Sequence, residues 1–402
     1  MFRRHYVTVM LAAAALLLAT PAAFAPPAFA KDKPPILIAH TAPLSGILAS
    51  TGKLQSIAVD LGIADVNAAG GINGSKLTVV RYDDQLKPDQ GVLRIRDAIA
   101  ANAFAILGPM SGTQWETATP LLNALKFPGI NMNASKAGIN RRPWALRMAT
   151  PDDTGIPEGL ADFLKHNPTV KKIVVIGDVR EASGRAAVGE WTEEAKKHGL
   201  TILGQVTFTS GQSDFSPIAI RLKEFNPDGI LASILYPDAV RLAHEMEVQG
   251  VRVPLLANGL MWPGTLPQTL TKTIGADAHF WHTTGYATNE WSNGDPALYK
   301  KFVERYTAAV LKDPGMSQFK PVNVANSPTG YDAVILLADI MKRKGIDGNT
   351  PVAEARQKIM EGMMETKDFR GTSYYKIRDT GDGYVPMHAL EIDPKRGEWS
   401  MP

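Results

Sequence analysis

Residues 66–85 read Val-Asn-Ala-Ala-Gly-Gly-Ile-Asn-Gly-Ser-Lys-Leu-Thr-Val-Val-Arg-Tyr-Asp-Asp-Gln. This stretch carries three structural signals in a row. A helical pattern running from Leu54 ends at Ala68, and Gly70-Gly71 closes it because glycine tolerates the positive φ of a helix exit. Asn73-Gly74 then makes a tight turn. Lys76 to Tyr82 is rich in β-branched and aromatic residues and predicts a strand. The acids Asp83-Asp84 read as turn residues.

The same alternation extends both ways from this stretch. Upstream, Ile36 to His40 predicts a buried strand, followed by a loop with Pro43, Ser45 and Gly46. Downstream come a helix over Pro88 to Ala101, a strand over Ala105 to Leu107, a helix over Thr113 to Leu125 and a short strand at Ile130 to Met132. The rhythm restarts after Thr150-Pro151-Asp152. Strands are expected at Lys172 to Ile176, Thr201 to Phe208, Gly229 to Ile234 and Val253 to Ala257. Between them lie helices over Arg185 to His198, Phe215 to Phe225 and Pro237 to Gln249. Alternating β and α elements argue for parallel sheets with crossover helices. Two such series predict an α/β protein of two doubly wound parallel-sheet lobes. The later helices, Pro296 to Leu311, Tyr331 to Lys344 and Val352 to Gly362, are expected to return to the first lobe. Thr372 to Ile377 and Met387 to Ile392 read as an antiparallel pair around Asp382-Gly383.

Length and composition agree with two ordinary domains. The chain has 402 residues, 45% hydrophobic and 21% charged, a globular balance. The net charge is +3, and Arg3 and Arg4 supply two of those charges. A body of near-neutral charge has no nucleic-acid footprint. Residues 1–30 predict a cleaved signal peptide: a basic start at Arg3, Arg4 and His5, an apolar run from Val7 to Ala19, and an Ala28-Phe29-Ala30 cleavage site. The run is short for a membrane span. There is no cysteine, so neither a disulfide nor a lipidated mature start is expected. A soluble protein confined to a periplasm fits these features.

The motifs Pro43-Leu44-Ser45-Gly46, Gly52, Val66 to Gly74, Tyr82-Asp83-Asp84-Gln85, Gly108-Pro109-Met110-Ser111-Gly112 and Gly330-Tyr331-Asp332-Ala333 occur in a fixed order. Together they resemble the periplasmic solute-binding proteins of branched-chain amino acid ABC transporters, the leucine/isoleucine/valine-binding type, over residues 34 to 392. The resemblance implies a type I periplasmic binding fold with a three-crossing hinge near Thr150, Thr283 and Phe369. Lobe one would comprise 31–150 and 284–367, and lobe two 151–283 and 368–402. The implied role is capture of a small ligand in an interlobe cleft for membrane permease subunits, by a monomer without a cofactor.

The resemblance also places ligand contacts. Ser111, Gly112 and Thr113 would present a hydroxyl and helix N-terminal N–H groups to a ligand carboxylate, chemistry that the local sequence suits. Asn133 and Ser135 would add a backbone contact and a hydroxyl. In lobe two the family often has a tyrosine where this chain has Ser183-Gly184, and an aromatic residue near Tyr236. An acid that holds an α-ammonium usually follows the strand matching Val253 to Ala257; here Asn258 stands there. An amide does not offset a buried ammonium as a carboxylate does. The expected ligand is therefore a hydrophobic or aromatic carboxylate, with a branched-chain or aromatic amino acid second if Asp152, Asp178 or Asp238 supplies the acid. Trp115, Trp262 and Trp281 are candidates for an aromatic wall. A ligand-sensing module for a receptor or regulator, and a binder of short amides or urea-like solutes, are the alternative functions.

Enzyme motifs do not assemble. There is no phosphate-binding Gly-x-x-x-x-Gly-Lys-Ser/Thr, and no Gly-x-Gly-x-x-Gly follows a strand. The serine of Gly108 to Gly112 is one place late for a nucleophile elbow. His244-Glu245-Met246-Glu247-Val248 lacks the second histidine of a zinc helix, and His279 and His282 have no third ligand in view. Neither a catalytic set nor a metal site is expected.

Overall fold

The computed structural model describes residues 33–261, 265–285, 294–316 and 327–402. The expected signal peptide, residues 1–30, and Trp262 lie outside the described residues. The first series runs β1 (Lys33–Ala42), α1 (Ala49–Ala68), β2 (Ser75–Asp83), α2 (Pro88–Ala100), β3 (Ile106–Leu107), α3 (Gly112–Ala124), β4 (Gly129–Asn131) and β5 (Ala145–Arg147). The second runs α4 (Asp152–His166), β6 (Lys172–Asp178), α5 (Ala182–Lys197), β7 (Thr201–Phe208), α6 (Ser216–Phe225), β8 (Gly229–Ser233), α7 (Tyr236–Gln249), β9 (Leu255–Ala257), α8 (Leu266–Ile274) and β10 (Trp281–Gly285). The chain closes with α9 (Pro296–Lys312), α10 (Ser327–Arg343), α11 (Val352–Glu365), β11 (Asp368–Arg370), β12 (Tyr374–Ile377), β13 (Gly383–Tyr384), β14 (His388–Asp393) and β15 (Glu398–Ser400).

Among the described residues, the strands form a parallel sheet ordered β2-β1-β3-β4-β5, a larger sheet ordered β15-β14-β10-β9-β8-β6-β7, and a small antiparallel sheet β11-β12-β13. In the larger sheet only β14 and β15 run antiparallel to their neighbours. Both large sheets are doubly wound. On β1, Ile36 and Ile38 face a core with Val334, Leu337 and Ile359, while Ala39 faces Ile95, Trp115 and Leu122. On β6, Ile173 and Val175 pack with Phe163 and Trp191, and Val174 and Ile176 pack with Leu242 and Met246. Strand alternation therefore feeds helices on both faces, each buried aliphatic side chain contributing about 1.5–3 kcal/mol.

The turn read from residues 66–85 forms as expected. Gly70, Gly71, Asn73 and Gly74 all have positive φ, and a Cβ on Gly71 would fall 2.1 Å from the Ser75 carbonyl oxygen. The Asn67 side chain clamps the start of β2: its Nδ2 donates to the Leu77 carbonyl at 2.8 Å, and the Leu77 N–H donates back to Oδ1 at 2.7 Å.

Two expectations need correction. Thr372 to Ile377 does not pair with Met387 to Ile392: β12 pairs with β11 and β13, whereas β14 joins the larger sheet beside β10. The third passage between the sheets also falls later than Phe369. Tyr375, Ile377 and Val385 pack in the same core as Ile36 and Ile38, so residues 368–385 belong with the first half and the chain returns to the second between Val385 and His388. Asp332 fixes this arrangement. Its buried carboxylate accepts from the Thr372 N–H at 2.8 Å, the Thr372 hydroxyl at 2.7 Å and the Ser373 N–H at 3.2 Å, tying α10 to the β11–β12 loop.

Candidate functional site

The two parallel sheets share one topology. Order 2-1-3-4-5 in the first recurs as β7-β6-β8-β9-β10 in the second. In such sheets the strand order reverses beside the first strand of each series, and the loops leaving the carboxyl ends there diverge to leave a crevice. The loops in question follow β1 and β3 in one sheet, and β6 and β8 in the other. A cavity lies where all four meet. It is lined by Leu48, Leu86, Met110 and Ser111 from the first half and Glu181, Leu235, Tyr236 and Leu260 from the second, with Thr51, Asn133 and Ala134 closing one wall. Its empty volume, mouth included, is about 520 Å³, within the range of small-molecule sites.

Three contacts bridge the halves at this cavity. The Glu181 carboxylate accepts from the Thr113 N–H at 3.0 Å and from the Thr113 hydroxyl at 2.9 Å. The Thr113 hydroxyl oxygen accepts from the Ala182 N–H at 2.8 Å. Ser50 Oγ and the Tyr236 hydroxyl lie 2.6 Å apart. Thr113 opens α3, and Glu181 is the residue before α5. Two helix N-termini thus face one another, and a carboxylate between them offsets their positive ends. Burial pushes the Glu181 carboxyl above its ordinary range, against the lowering effect of the Thr113 hydrogen bonds.

The expected ligand residues divide sharply. Ser111, Gly112, Asn133 and Tyr236 line the cavity. The Ser111 hydroxyl accepts from the Gln114 N–H at 3.2 Å in a capping box, which leaves its own hydrogen free to donate. Thr113 is engaged by Glu181, so the N–H expected to meet a ligand carboxylate already holds one from the chain itself. The Asn133 and Ala134 N–H groups both donate to Asn131 Oδ1, at 2.9 and 2.7 Å. The Asn133 contribution is therefore its side chain and not the expected backbone contact: Oδ1 accepts from Gln55, and Nδ2 has no partner.

Ser135 and Asn258 lie beneath the cavity. Ser135 Oγ donates to Asp152 Oδ2 at 2.9 Å, Asn258 Nδ2 donates to the same oxygen at 3.4 Å, and Asn258 Oδ1 accepts from Ser233 at 3.2 Å. Burial raises the Asp152 carboxyl to about 6, opposed by the Ser135 bond and by Arg147. Ser183 is fully buried with an unpartnered hydroxyl; a Cβ on Gly112 would meet its Oγ at 2.3 Å.

Asp178 and Asp238 do not line the cavity. Both accept from the loop after β7, Asp178 from the Ser210 N–H at 3.0 Å and Asp238 from the Gly211 N–H at 3.1 Å. Trp115 is not a wall of the cleft: it is buried in the core against Leu122 and donates to Asn140 at 3.1 Å. Trp281 is buried in the core of the second half. His282 packs edge-on against Phe163, with ring centroids 5.1 Å apart. No cluster of three metal-ligating side chains occurs among the described residues, and no described helix is long and apolar enough to cross a membrane.

Sequence reasoning missed Glu181, Thr51, Leu48, Leu86, Leu235 and Leu260. The available signal was position. Glu181 and Leu235 each follow the carboxyl end of an expected strand, but which strands neighbour the order reversal is not written in the βα rhythm.

The family model for periplasmic binding proteins matches residues 35–398. The chain belongs to the periplasmic binding protein family. One relative in this family, the Leu/Ile/Val-binding protein of Citrobacter freundii, is 24% identical over 230 residues, 57% of this chain and 62% of that protein. The chain thus spans about three fifths of that relative's length. The amino acid binding protein of Pseudomonas aeruginosa is 24% identical over 304 residues, 74% of this chain and 78% of that one. Periplasmic binding proteins of known structure share the fold. The substrate-binding protein LivJ from Streptococcus pneumoniae, solved with isoleucine, has a TM-score of 0.75 at 19% identity, covering 92% of this chain and 100% of that one. A solute-binding protein from Rhodopseudomonas palustris, solved with 3,4-dihydroxybenzoic acid, has a TM-score of 0.71 at 20% identity, covering 89% and 93%.

Proposed function

We propose that this periplasmic binding protein captures a small carboxylate with an apolar body and delivers it to the permease subunits of an ABC transporter. In this reading it acts without chemistry of its own, as an exported monomer that closes its two halves on the ligand about the passages near Thr150, Thr283 and residues 385–388. One observation carries the reading. The cavity at the paired order reversals is apolar on most sides, through Leu48, Leu86, Met110, Leu235 and Leu260, with hydrogen-bond donors gathered on one wall. Those donors are the Ser111 hydroxyl, the Thr51 hydroxyl and Asn133 Nδ2, and the last two have no partner in the protein. Such a wall suits a carboxylate. Relatives solved with isoleucine and with 3,4-dihydroxybenzoic acid support the class, since both ligands join a carboxylate to an apolar frame.

A calorimetric screen of leucine, phenylalanine, benzoate-type acids and short amides tests this. One carboxylate class should bind at one site per chain. In Ser111→Ala its affinity should fall by a factor of about five or more, the loss of one charge-assisted hydrogen bond of about 1.5 kcal/mol or more. Unchanged affinity in that variant would remove Ser111 from the site, and binding by amides alone would replace the carboxylate reading.

A further inference from the structure

We infer that the ligand carries a protonated amine and that Glu181 is its counter-ion, so that the cavity selects an apolar α-amino acid over the corresponding simple acid. This inference rests on the carboxylate reading above and goes beyond it by assigning the second pole.

The cavity wall is electrostatically one-sided. Among the described residues that line it, Glu181 is the sole carboxylate, and no lysine, arginine or histidine accompanies it. Glu181 is 8% exposed, and the one charged neighbour that acts on it, Asp178, is also an acid. A buried carboxylate in an apolar pocket needs a positive or donating partner to offset its desolvation. The two groups of Thr113 use two of its roughly four acceptor positions, so the carboxylate keeps capacity toward the cavity it lines. A bare organic acid placed there would bring a second negative charge beside it. An ammonium would bring the missing positive one.

The opposite wall supplies the complementary pole. Thr51 Oγ1 belongs to a residue only 4% exposed, lines the cavity and has no hydrogen-bond partner; Asn133 Nδ2 likewise has none. Unpaired buried polar groups are rare in folded proteins and call for an occupant. Donors on the first half and an acceptor on the second, with leucines and a methionine between them, match a zwitterion with an apolar side chain. The absence of an acid after β9 is thereby accounted for. Asn258 does not line the cavity; it spends its amide on Asp152 and Ser233. The second acid comes from the loop after β6.

The test compares L-leucine and L-phenylalanine with their deaminated analogues, 4-methylpentanoate and 3-phenylpropanoate, by calorimetry. The proteins are the wild-type chain, Glu181→Gln and Glu181→Asp, each checked by thermal melting. Wild type should bind at least one amino acid tenfold or more tighter than its analogue. Glu181→Gln should lose tenfold or more for that amino acid, with no loss for the analogue. Glu181→Asp, which keeps the charge, should recover part of the difference. Analogues that bind wild type as tightly as the amino acids would overturn the inference and leave the carboxylate reading intact. So would equal losses for both ligand types in Glu181→Gln, or in Glu181→Asp should the glutamine variant not fold. If neither ligand type binds wild type, the carboxylate reading itself fails and the inference falls with it.

Discussion

Replacing Thr113 with valine removes one hydroxyl and changes the shape of the side chain little. That hydroxyl makes two contacts across the cleft. It donates to Glu181 Oε2 at 2.9 Å and accepts from the Ala182 N–H at 2.8 Å. A hydrogen bond to a charged acceptor is worth about 1.5–3 kcal/mol, and an N–H left buried without a partner costs about 1–3 kcal/mol. The Thr113 N–H bond to Glu181 survives the substitution, so a net loss of about 2–4 kcal/mol is expected, or a factor on the order of 30 to 1,000. Both bonds join one half of the protein to the other, and neither belongs to the cores within the halves. The loss should therefore appear in closure and ligand affinity, with little change in the melting temperature of the ligand-free protein. Calorimetry with the carboxylate that binds wild type best, together with small-angle scattering, reads both quantities. Thr113→Val should be more expanded with ligand than wild type and bind far more weakly, and Thr113→Ser should resemble wild type. Equal affinity and equal radius of gyration in the valine and serine variants would refute the reasoning.

Three further outcomes follow from other contacts. Asp332→Ala strands the Thr372 N–H, the Thr372 hydroxyl and the Ser373 N–H, and should destabilise the fold by at least about 3 kcal/mol in urea titration. Tyr236→Phe loses the 2.6 Å contact with Ser50 and should weaken closure by about 1 kcal/mol, read as a threefold to tenfold rise in ligand Kd with an unchanged melting temperature. His40 is buried, and its pKa is lowered to about 3 by desolvation and by Arg81. The unfolded chain takes up a proton there near pH 6.5 while the folded chain stays neutral. The stability it permits above that pH is thus lost as pH falls toward 3. His40→Leu should remove this loss, gaining about 2–3 kcal/mol on wild type between pH 7.5 and 4.5; parallel curves for the two proteins would contradict it.

Much of the molecule was legible in the chain because its signals are local. The helix exit at Gly70-Gly71, the turn at Asn73-Gly74 and the strand after it depend on φ preferences and side-chain shape within a few residues. The restart of the βα rhythm after Thr150 depends on hydrophobic period alone. Ser111, Gly112, Asn133 and Tyr236 could be named as cavity residues because a loop after a strand is a local feature too.

What only the tertiary structure decided is long-range. Gly155, Pro157 and Gly159 mask α4 in the sequence, yet Gly159 is where that helix lies against Thr284: a Cβ there would fall 2.4 Å from the Thr284 methyl carbon. The order of strands decides which loops converge, and that order set Leu48, Glu181, Leu235 and Leu260 around one cavity while burying Trp115 in a core. Partners also had to be seen. Ser135 and Asn258 carry the right atoms for a ligand, but each is already committed to Asp152, and the N–H of Thr113 to Glu181. A residue type states which hydrogen bonds a side chain can make; the packing of distant segments determines which remain free.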